Sequence, residues 1–245
     1  MRVAWTIAKR DIYSFFVSPV AYVVIAVWLL WTGLSFYVFA QWLASAPGGQ
    51  GDSPLAYFFG QSILFFIPQL VFVPVMTMRL VAGESASGTL ESLLTAPVRE
   101  WEVVLGKYLA AMTFWLALWV PTLLYVWLTQ HYGDVDFGSV ASSYLGVAGI
   151  GLYYMAIGLF ASTVARNQII AAVITFMFLG ALFALGILQY VVHDARDFFA
   201  YLSVWSHMQD FSKGIVDSRY LVYDVTLAAL ALFLSVRVLE SRRYQ

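Results

Sequence analysis

Cysteine is absent from this sequence, and charged side chains are scarce. Without a thiol the chain can form no disulfide, thiolate nucleophile, iron–sulfur cluster or cysteine-based zinc site. Asp, Glu, Lys and Arg make up 11% of the 245 residues, whereas a soluble domain has roughly 25%. No basic run of the kind that binds nucleic acid occurs either. The composition therefore argues against a water-soluble fold and leaves the redox compartment open.

Apolar residues, in contrast, are abundant and form long runs. They account for 62% of the chain, and the mean hydropathy is +0.80. A helix needs roughly 20 apolar residues to cross a bilayer core. We therefore predict an all-α integral membrane protein, one domain over residues 1–245, with six transmembrane helices. The predicted spans are 20–42, 57–79, 105–129, 141–165, 168–192 and 222–238.

Two further segments are predicted to lie at the membrane surface. Residues 2–17 alternate apolar with charged side chains, as in an amphipathic interfacial helix that ends before Pro19. Residues 193–221 carry seven charges among aromatic side chains, which is too polar for a span. We expect short helices at the outer face there, before the sixth span.

The basic residues are distributed unevenly over the two ends of the predicted spans. Ten lie on the side that holds both termini and three on the other, which by the positive-inside rule makes the termini cytoplasmic. The loop over residues 80–104 is then cytoplasmic too. The ten are Arg2, Lys9, Arg10, Arg79, Arg99, Lys107, Arg166, Arg237, Arg242 and Arg243, and the three are Arg196, Lys213 and Arg219.

Ionisable side chains are predicted only near the ends of spans. We expect them to snorkel to the headgroups, and we infer that the protein draws on an external energy source, because proton- or sodium-driven carriers place such groups at depth. They are Arg79, Lys107, Arg166, Asp224 and Arg237. In the second span, Gln61 and Gln69 are the deepest large polar side chains. They either line a substrate path or form hydrogen bonds between helices.

Nothing in the sequence predicts catalysis or metal binding by this chain. His131, His193 and His207 are scattered without metal-ligand spacing, and we expect them to be solvated on the outer face. Gly83 and Gly88 have the spacing of a phosphate-binding loop, but Thr89 and Leu90 stand where Lys and Ser or Thr are required. The chain is therefore not expected to bind ATP or to be an enzyme by itself.

The cytoplasmic loop between spans two and three has an amphipathic pattern. A helix from about Gly88 would place leucines on one face and Glu91 on another, and Pro97 would end it. Four glycines in the fourth span predict close helix–helix approach. They are Gly146, Gly149, Gly151 and Gly158.

This loop and its flanks resemble the ABC-2 family of ABC-transporter permeases, in particular its gliding-motility-associated and nitrous-oxide-reductase-maturation-like branch. The resemblance covers nearly the full length and includes the start of the first span, from Ser18 to Tyr22. The family pattern is carried by Pro74, Met78, Arg79, Glu84, Gly88, Thr89, Glu91, Leu93, Leu94, Thr95, Pro97, Gly106 and Lys107.

The resemblance implies a bacterial inner-membrane permease that exports a substrate. It would pair with a second copy or a related permease and bind two cytoplasmic ATPase subunits, which hold ATP and magnesium. The loop would be the coupling helix, with ATPase contacts at Glu84, Gly88, Thr89, Glu91, Leu94 and Pro97. Two alternatives stay open: ATP-driven force transmission to an extracytoplasmic accessory protein, and an ATP-independent channel or scaffold surrounded by membrane lipid.

Overall fold

The computed structural model describes residues 2–45, 54–89 and 98–243. Within these ranges the chain is helical and contains no β-strand. A π turn at Tyr57–Gln61 follows the third helix. The helices are α1 (Arg2–Val17), α2 (Pro19–Ser45), α3 (Pro54–Ala56), α4 (Ile63–Thr77), α5 (Ala82–Ala86), α6 (Glu100–Trp119), α7 (Leu123–Tyr132), α8 (Phe137–Val164), α9 (Gln168–Ile187), α10 (Arg196–Leu202), α11 (Val204–Ser212) and α12 (Ser218–Arg243).

Five unbroken helical segments are long and apolar enough to cross a membrane. They are 19–45, 100–132, 137–164, 168–190 and 218–242, and they coincide with five of the six predicted spans. The third of the six, α6 with α7, continues through a 3-10 turn at Val120–Thr122 that contains Pro121. The all-helical membrane fold is thus confirmed.

The second predicted span, 57–79, differs from a single straight helix. It is bent by 44° between residues 60 and 63, so it counts as a sixth span only if the two halves are taken together. Ser62 has an extended backbone, and its hydroxyl accepts a hydrogen bond from Leu64 N at 3.0 Å. Ser62 is therefore the N-cap of a new helix, α4. The break precedes both Pro68 and Pro74, which lie inside α4.

Helix α8 forms the centre of the bundle because small residues open its surface to its neighbours. A Cβ added at Gly146 would lie 2.8 Å from Phe211 Cδ2 of α11. At Gly149, Gly151 and Gly158 it would collide with side chains of α12, α6 and α4 respectively. The close approach predicted from these four glycines is therefore present, with a different partner helix at each of them.

The segment before the last span lies partly inside the bundle rather than only on its surface. Helix α11 packs on α8 and on the π turn, where a Cβ at Gly60 would lie 2.6 Å from Met208 O. The expectation that His207 is solvated is wrong, because this packing leaves the side chain 1% exposed. His131 is exposed as expected, and the side chain of His193 lies outside the described part.

Candidate functional site: a charge cluster beneath the loop between the second and third spans

Four charged side chains meet where α1, α5 and α6 come together. Lys107 Nζ lies 2.8 Å from Glu84 Oε1 and 3.3 Å from Asp11 Oδ2. Arg10 Nη2 lies 2.9 Å from Glu84 Oε1 and 2.9 Å from Asp11 Oδ1. We call Arg10, Asp11, Glu84 and Lys107 the charge cluster. It joins three helices through alternating positive and negative groups.

Lys107 is buried, which corrects the expectation that it snorkels to the headgroups. Its side chain is 2% exposed, and the two carboxylates compensate its charge. They can reach it because α1 packs directly along α6. A Cβ at Gly106 would lie 2.7 Å from Ala4 O, so only glycine allows this approach. The Gly-Lys pair at the start of the third span therefore has two structural roles. Gly106 lets α1 pack closely against α6, and Lys107 forms an ion pair with Asp11 of α1.

Arg10 is the exposed member of the cluster, with a side chain that is 55% exposed. Its partial burial would lower the pKa of the guanidinium, but hydrogen bonds and charges from Asp11 and Glu84 outweigh that effect and raise it. Arg10 therefore stays charged at every physiological pH. The Oε2 atom of Glu84 is buried and has no hydrogen-bond partner among the described residues.

Ser162 of α8 holds the same segment from the other side. Its hydroxyl accepts hydrogen bonds from Val81 N and Ala82 N, each at 3.0 Å, and donates to Met78 O at 3.3 Å. These amides begin α5 and would otherwise be buried donors without a partner. The chain between α4 and the loop that precedes α6 is thus fixed to α8 by hydrogen bonds and to α1 and α6 by ion pairs.

A cavity of about 390 Å³ lies beside the charge cluster. Asp11, Glu84 and Lys107 line its polar part, and its apolar part includes Phe15 and Met76.

The predicted ATPase contacts fall into two groups. Glu84 lies in α5 and points into the charge cluster, whereas Gly88 and Thr89 are exposed just beyond it. Gly88 has a φ of +73°, a left-handed conformation that ends the short helix and favours glycine. The Thr89 hydroxyl donates to Glu84 O at 3.3 Å. The predicted contacts Glu91, Leu94 and Pro97 lie outside the described residues.

The two glutamines of the second span are separated by its bend. Gln61 belongs to the π turn, and its side chain lies outside what the structure describes. Gln69 is fully buried, and its Nε2 donates to Phe65 O of its own helix at 3.0 Å. Its Oε1 has no hydrogen-bond partner among the described residues. In the described part of the chain Gln69 therefore forms no hydrogen bond to another helix, which was one of the two roles predicted for it.

Sequence reasoning missed Arg10, Asp11 and Ser162 as parts of this site. One signal was available for Asp11, the only acidic residue in the amphipathic stretch 2–17. Its side chain had to face either water or a cation. Ser162 gave no signal, because a serine in an apolar helix commonly bonds to its own backbone.

The spans and the many exposed apolar side chains around them define a multi-pass α-helical membrane protein. The family model of the ABC-2 family transporter proteins matches residues 5–236, and the chain belongs to that family. It is accordingly a permease component of an ABC transporter, a class whose members generally partner with a cytoplasmic ABC ATPase. A comparison with curated proteins finds no match. The gliding-motility and nitrous-oxide-reductase-maturation branch stays a prediction.

Proposed function

We propose that this chain is the permease subunit of an ATP-driven exporter in the cytoplasmic membrane, of the gliding-motility and nitrous-oxide-reductase-maturation branch. Two copies of a separate ATPase bind ATP and magnesium on the cytoplasmic side, and a second permease completes the transporter. The observation that carries the proposal is the double attachment of the segment over residues 78–89, by the charge cluster and by Ser162.

This attachment is what a coupling element needs. Because Glu84 is ion-paired to α1 and α6, and the amides at 81 and 82 are bonded to α8, a force on the loop reaches three helices at once. Helix α8 in turn contacts most of the bundle. Closure of the ATPase dimer against the loop would therefore move the whole permease rather than bend a free loop.

The stretch of chain beyond α5 is the surface that we propose for ATPase docking, and its described residues Gly88 and Thr89 are exposed. Gly88 and Thr89 begin it, and Glu91, Leu94 and Pro97 continue it along the chain. Glu84 has a different place in this proposal. Its Oε1 is occupied by Lys107 and Arg10, so it transmits movement from the docked loop to the spans.

The transported substrate is proposed to move between or along the paired permeases, past Gln69 and Gln61. The apolar and aromatic side chains that flank Gln69 along α4 suit an amphiphilic substrate such as a lipid, glycolipid or drug. Buried Gln69 Oε1 is a hydrogen-bond acceptor that a hydroxyl or amide of such a substrate would satisfy.

The test is co-purification of the tagged permease in detergent with its candidate ATPase, followed by an ATP hydrolysis assay. We expect the wild type to retain the ATPase and the Glu84→Ala, Glu91→Ala double variant to lose association or coupling. Glu240→Ala is the matched control, because Glu240 forms an exposed ion pair with Arg237 at the far end of α12. Recovery of the permease alone, with no ATPase that can be reconstituted, would contradict the proposal.

A second variant separates docking from transmission. Arg10→Gln removes the exposed link between α1 and Glu84 and leaves the loop surface unchanged. We expect it to bind the ATPase like the wild type but to lower transport-linked ATP hydrolysis. If Arg10→Gln instead releases the ATPase, Arg10 belongs to the docking surface and the transmission role of the charge cluster is wrong.

A further inference from the structure

Asp224 is a buried acid in the last span, although its place in the sequence suggested a position near the headgroups. It lies in α12 where this helix packs on α8, and it is 1% exposed. Gly149 of α8 faces it, and a Cβ at that position would collide with Asp224 Oδ2. The carboxyl group therefore fills a notch that only glycine leaves open.

No cation compensates this carboxyl group in the described part of the chain. Asp224 forms no ion pair there, and its Oδ1 is buried without a hydrogen-bond partner. Its electrostatic neighbours are the hydroxyl groups of Tyr153, Tyr154 and Tyr223. The Tyr153 hydroxyl is also buried without a partner among the described residues. The buried cation Lys107 forms its ion pairs with Asp11 and Glu84 instead of with Asp224.

The ionised form of such a group is costly. An ionised carboxylate inside a membrane-spanning helix loses the hydration that water gives it, and a packed interior without a cation or hydrogen-bond donors does not replace that hydration. One proton removes the charge and turns the acceptor into a donor. The surroundings of Asp224 therefore favour the neutral carboxylic acid.

One hydrogen bond and a row of aromatic contacts lie between this site and Asp210, at the end of the bundle that holds α11. Asp210 of α11 is partly exposed and accepts a hydrogen bond from the Tyr220 hydroxyl at 2.7 Å. The Tyr220 ring stacks on His207 at 4.0 Å between centroids, and His207 meets Tyr223 edge-on at 5.4 Å. Tyr223 precedes Asp224 in the chain.

Among the described residues, the other elements near α12 place no charged side chain against Asp224. Tyr201 of α10 contacts Tyr223, and its backbone oxygen bonds to His207 Nε2 at 2.8 Å. Tyr108 of α6 donates its hydroxyl to Leu152 O at 3.0 Å. Arg219 is an exposed residue at the start of α12.

We propose that Asp224 is an intramembrane proton-binding site, loaded from the end of the bundle that holds Asp210. One proton from the aqueous phase adds to the carboxylate and gives the neutral acid while α8 and α12 are packed together. The same proton leaves when the two helices separate, and no other atom or electron moves. The site gives the permease a response to external pH that does not depend on ATP.

Infrared spectroscopy of the purified full chain tests this directly. With ¹³C-labelled aspartate at about pH 8, exposed aspartates are ionised, so a remaining carboxylic C=O band reports a protonated buried residue. We expect one such band in the wild type, its loss in Asp224→Asn, and its retention in Asp134→Asn, which changes an exposed residue. Absence of the band, or its survival in Asp224→Asn, would overturn the proposal.

Two features keep the experiment decisive. The wild-type spectrum alone shows whether any aspartate is protonated, even if Asp224→Asn cannot be purified. Tyr153→Phe, which changes a neighbour of Asp224 without changing charge, should then shift the band, and an unchanged band would place the proton elsewhere. The measurement needs no ATPase, so its outcome is independent of the proposed export function.

Discussion

The ammonium group of Lys107 lies inside the bundle because carboxylates from two other helices surround it. Breaking a buried ion pair by removing one member is strongly destabilising, since the remaining charges lose compensation. Removing the exposed Arg10 is expected to matter much less, because water solvates the carboxylates in its place. The two basic residues contact the same two acids and therefore form a matched pair.

We expect Lys107→Gln to lower the free energy of unfolding by about 3 kcal/mol, because Asp11 and Glu84 would face each other without a buried cation. Arg10→Gln should cost less than about 1 kcal/mol. Thermal unfolding of both variants in the same detergent measures the difference. Equal losses would mean that Lys107 contributes no more than a surface ion pair.

His207 is the second residue whose burial gives a testable consequence. Its Nε2 faces the carbonyl oxygen of Tyr201 and must therefore carry a hydrogen, which leaves Nδ1 as a buried acceptor without a partner in the described part. Burial lowers the pKa of His207 below its ordinary value of 6.5. The imidazole is thus neutral in the folded protein at neutral pH.

Because the pKa of His207 is lowered, the unfolded chain binds more protons than the folded one below pH 6.5. Stability from the neutral imidazole is therefore present above that pH and declines as the pH falls. We expect His207→Gln to show a smaller acid loss of thermal stability than the wild type. His131→Gln, at an exposed position, should follow the wild type.

At the level of elements, the glycines of α8 leave gaps in its surface into which large side chains of neighbouring helices pack. The clearest is Gly151, where a Cβ would collide with the Trp115 indole of α6. That indole also donates from Nε1 to Val147 O at 3.2 Å. The glycine and the hydrogen bond together hold α6 against α8.

Gly151→Ala should therefore destabilise the protein by about 1–3 kcal/mol through overpacking. Gly180→Ala is the control, because nothing lies within 4 Å of a Cβ at that position of α9. It should be neutral or stabilising by up to about 1 kcal/mol from helix propensity. A thermal unfolding comparison would contradict this account if both alanines had the same effect.

The entry to α5 provides a second prediction at this scale. Ser162→Ala removes the acceptor of two backbone amides, at Val81 and Ala82, and should cost about 2 kcal/mol locally. Hydrogen–deuterium exchange should then rise in the segment over residues 78–89 and stay unchanged in α12. Ser241→Ala, which removes an exposed side-chain bond to Val238 O, should leave both regions unchanged.

For the whole molecule, the cytoplasmic position of the termini is the prediction on which the functional proposal depends. The absence of cysteine allows single cysteines to be introduced without background. Arg166→Cys marks the exposed turn between α8 and α9, and Asp134→Cys marks the opposite end of α8. In intact cells an impermeant maleimide should label position 134 and not 166. The reverse pattern would invert the topology and move the loop away from the ATPase.

The sequence alone determined the class of the fold because bilayer thickness sets the length of apolar runs. Five of the six predicted spans overlap helices that are long and apolar enough to cross a membrane, and the glycines of α8 correctly indicated close packing. Helix starts at Asp136 and Asn167 follow from local capping, in which each side chain accepts a hydrogen bond from a backbone amide. The length of an apolar run and the capping of a helix depend on neighbours along the chain.

The tertiary structure alone decided what the charged residues do. Lys107 and Asp11 are 96 positions apart, and Gly149 and Asp224 belong to different helices. Position near the end of an apolar run predicted solvated headgroup contacts for Lys107 and Asp224, yet both are buried. Helical periodicity shows which side chains share a face, but the partner of that face depends on how distant helices pack. That packing compensates one buried charge with two carboxylates and leaves the other facing tyrosines.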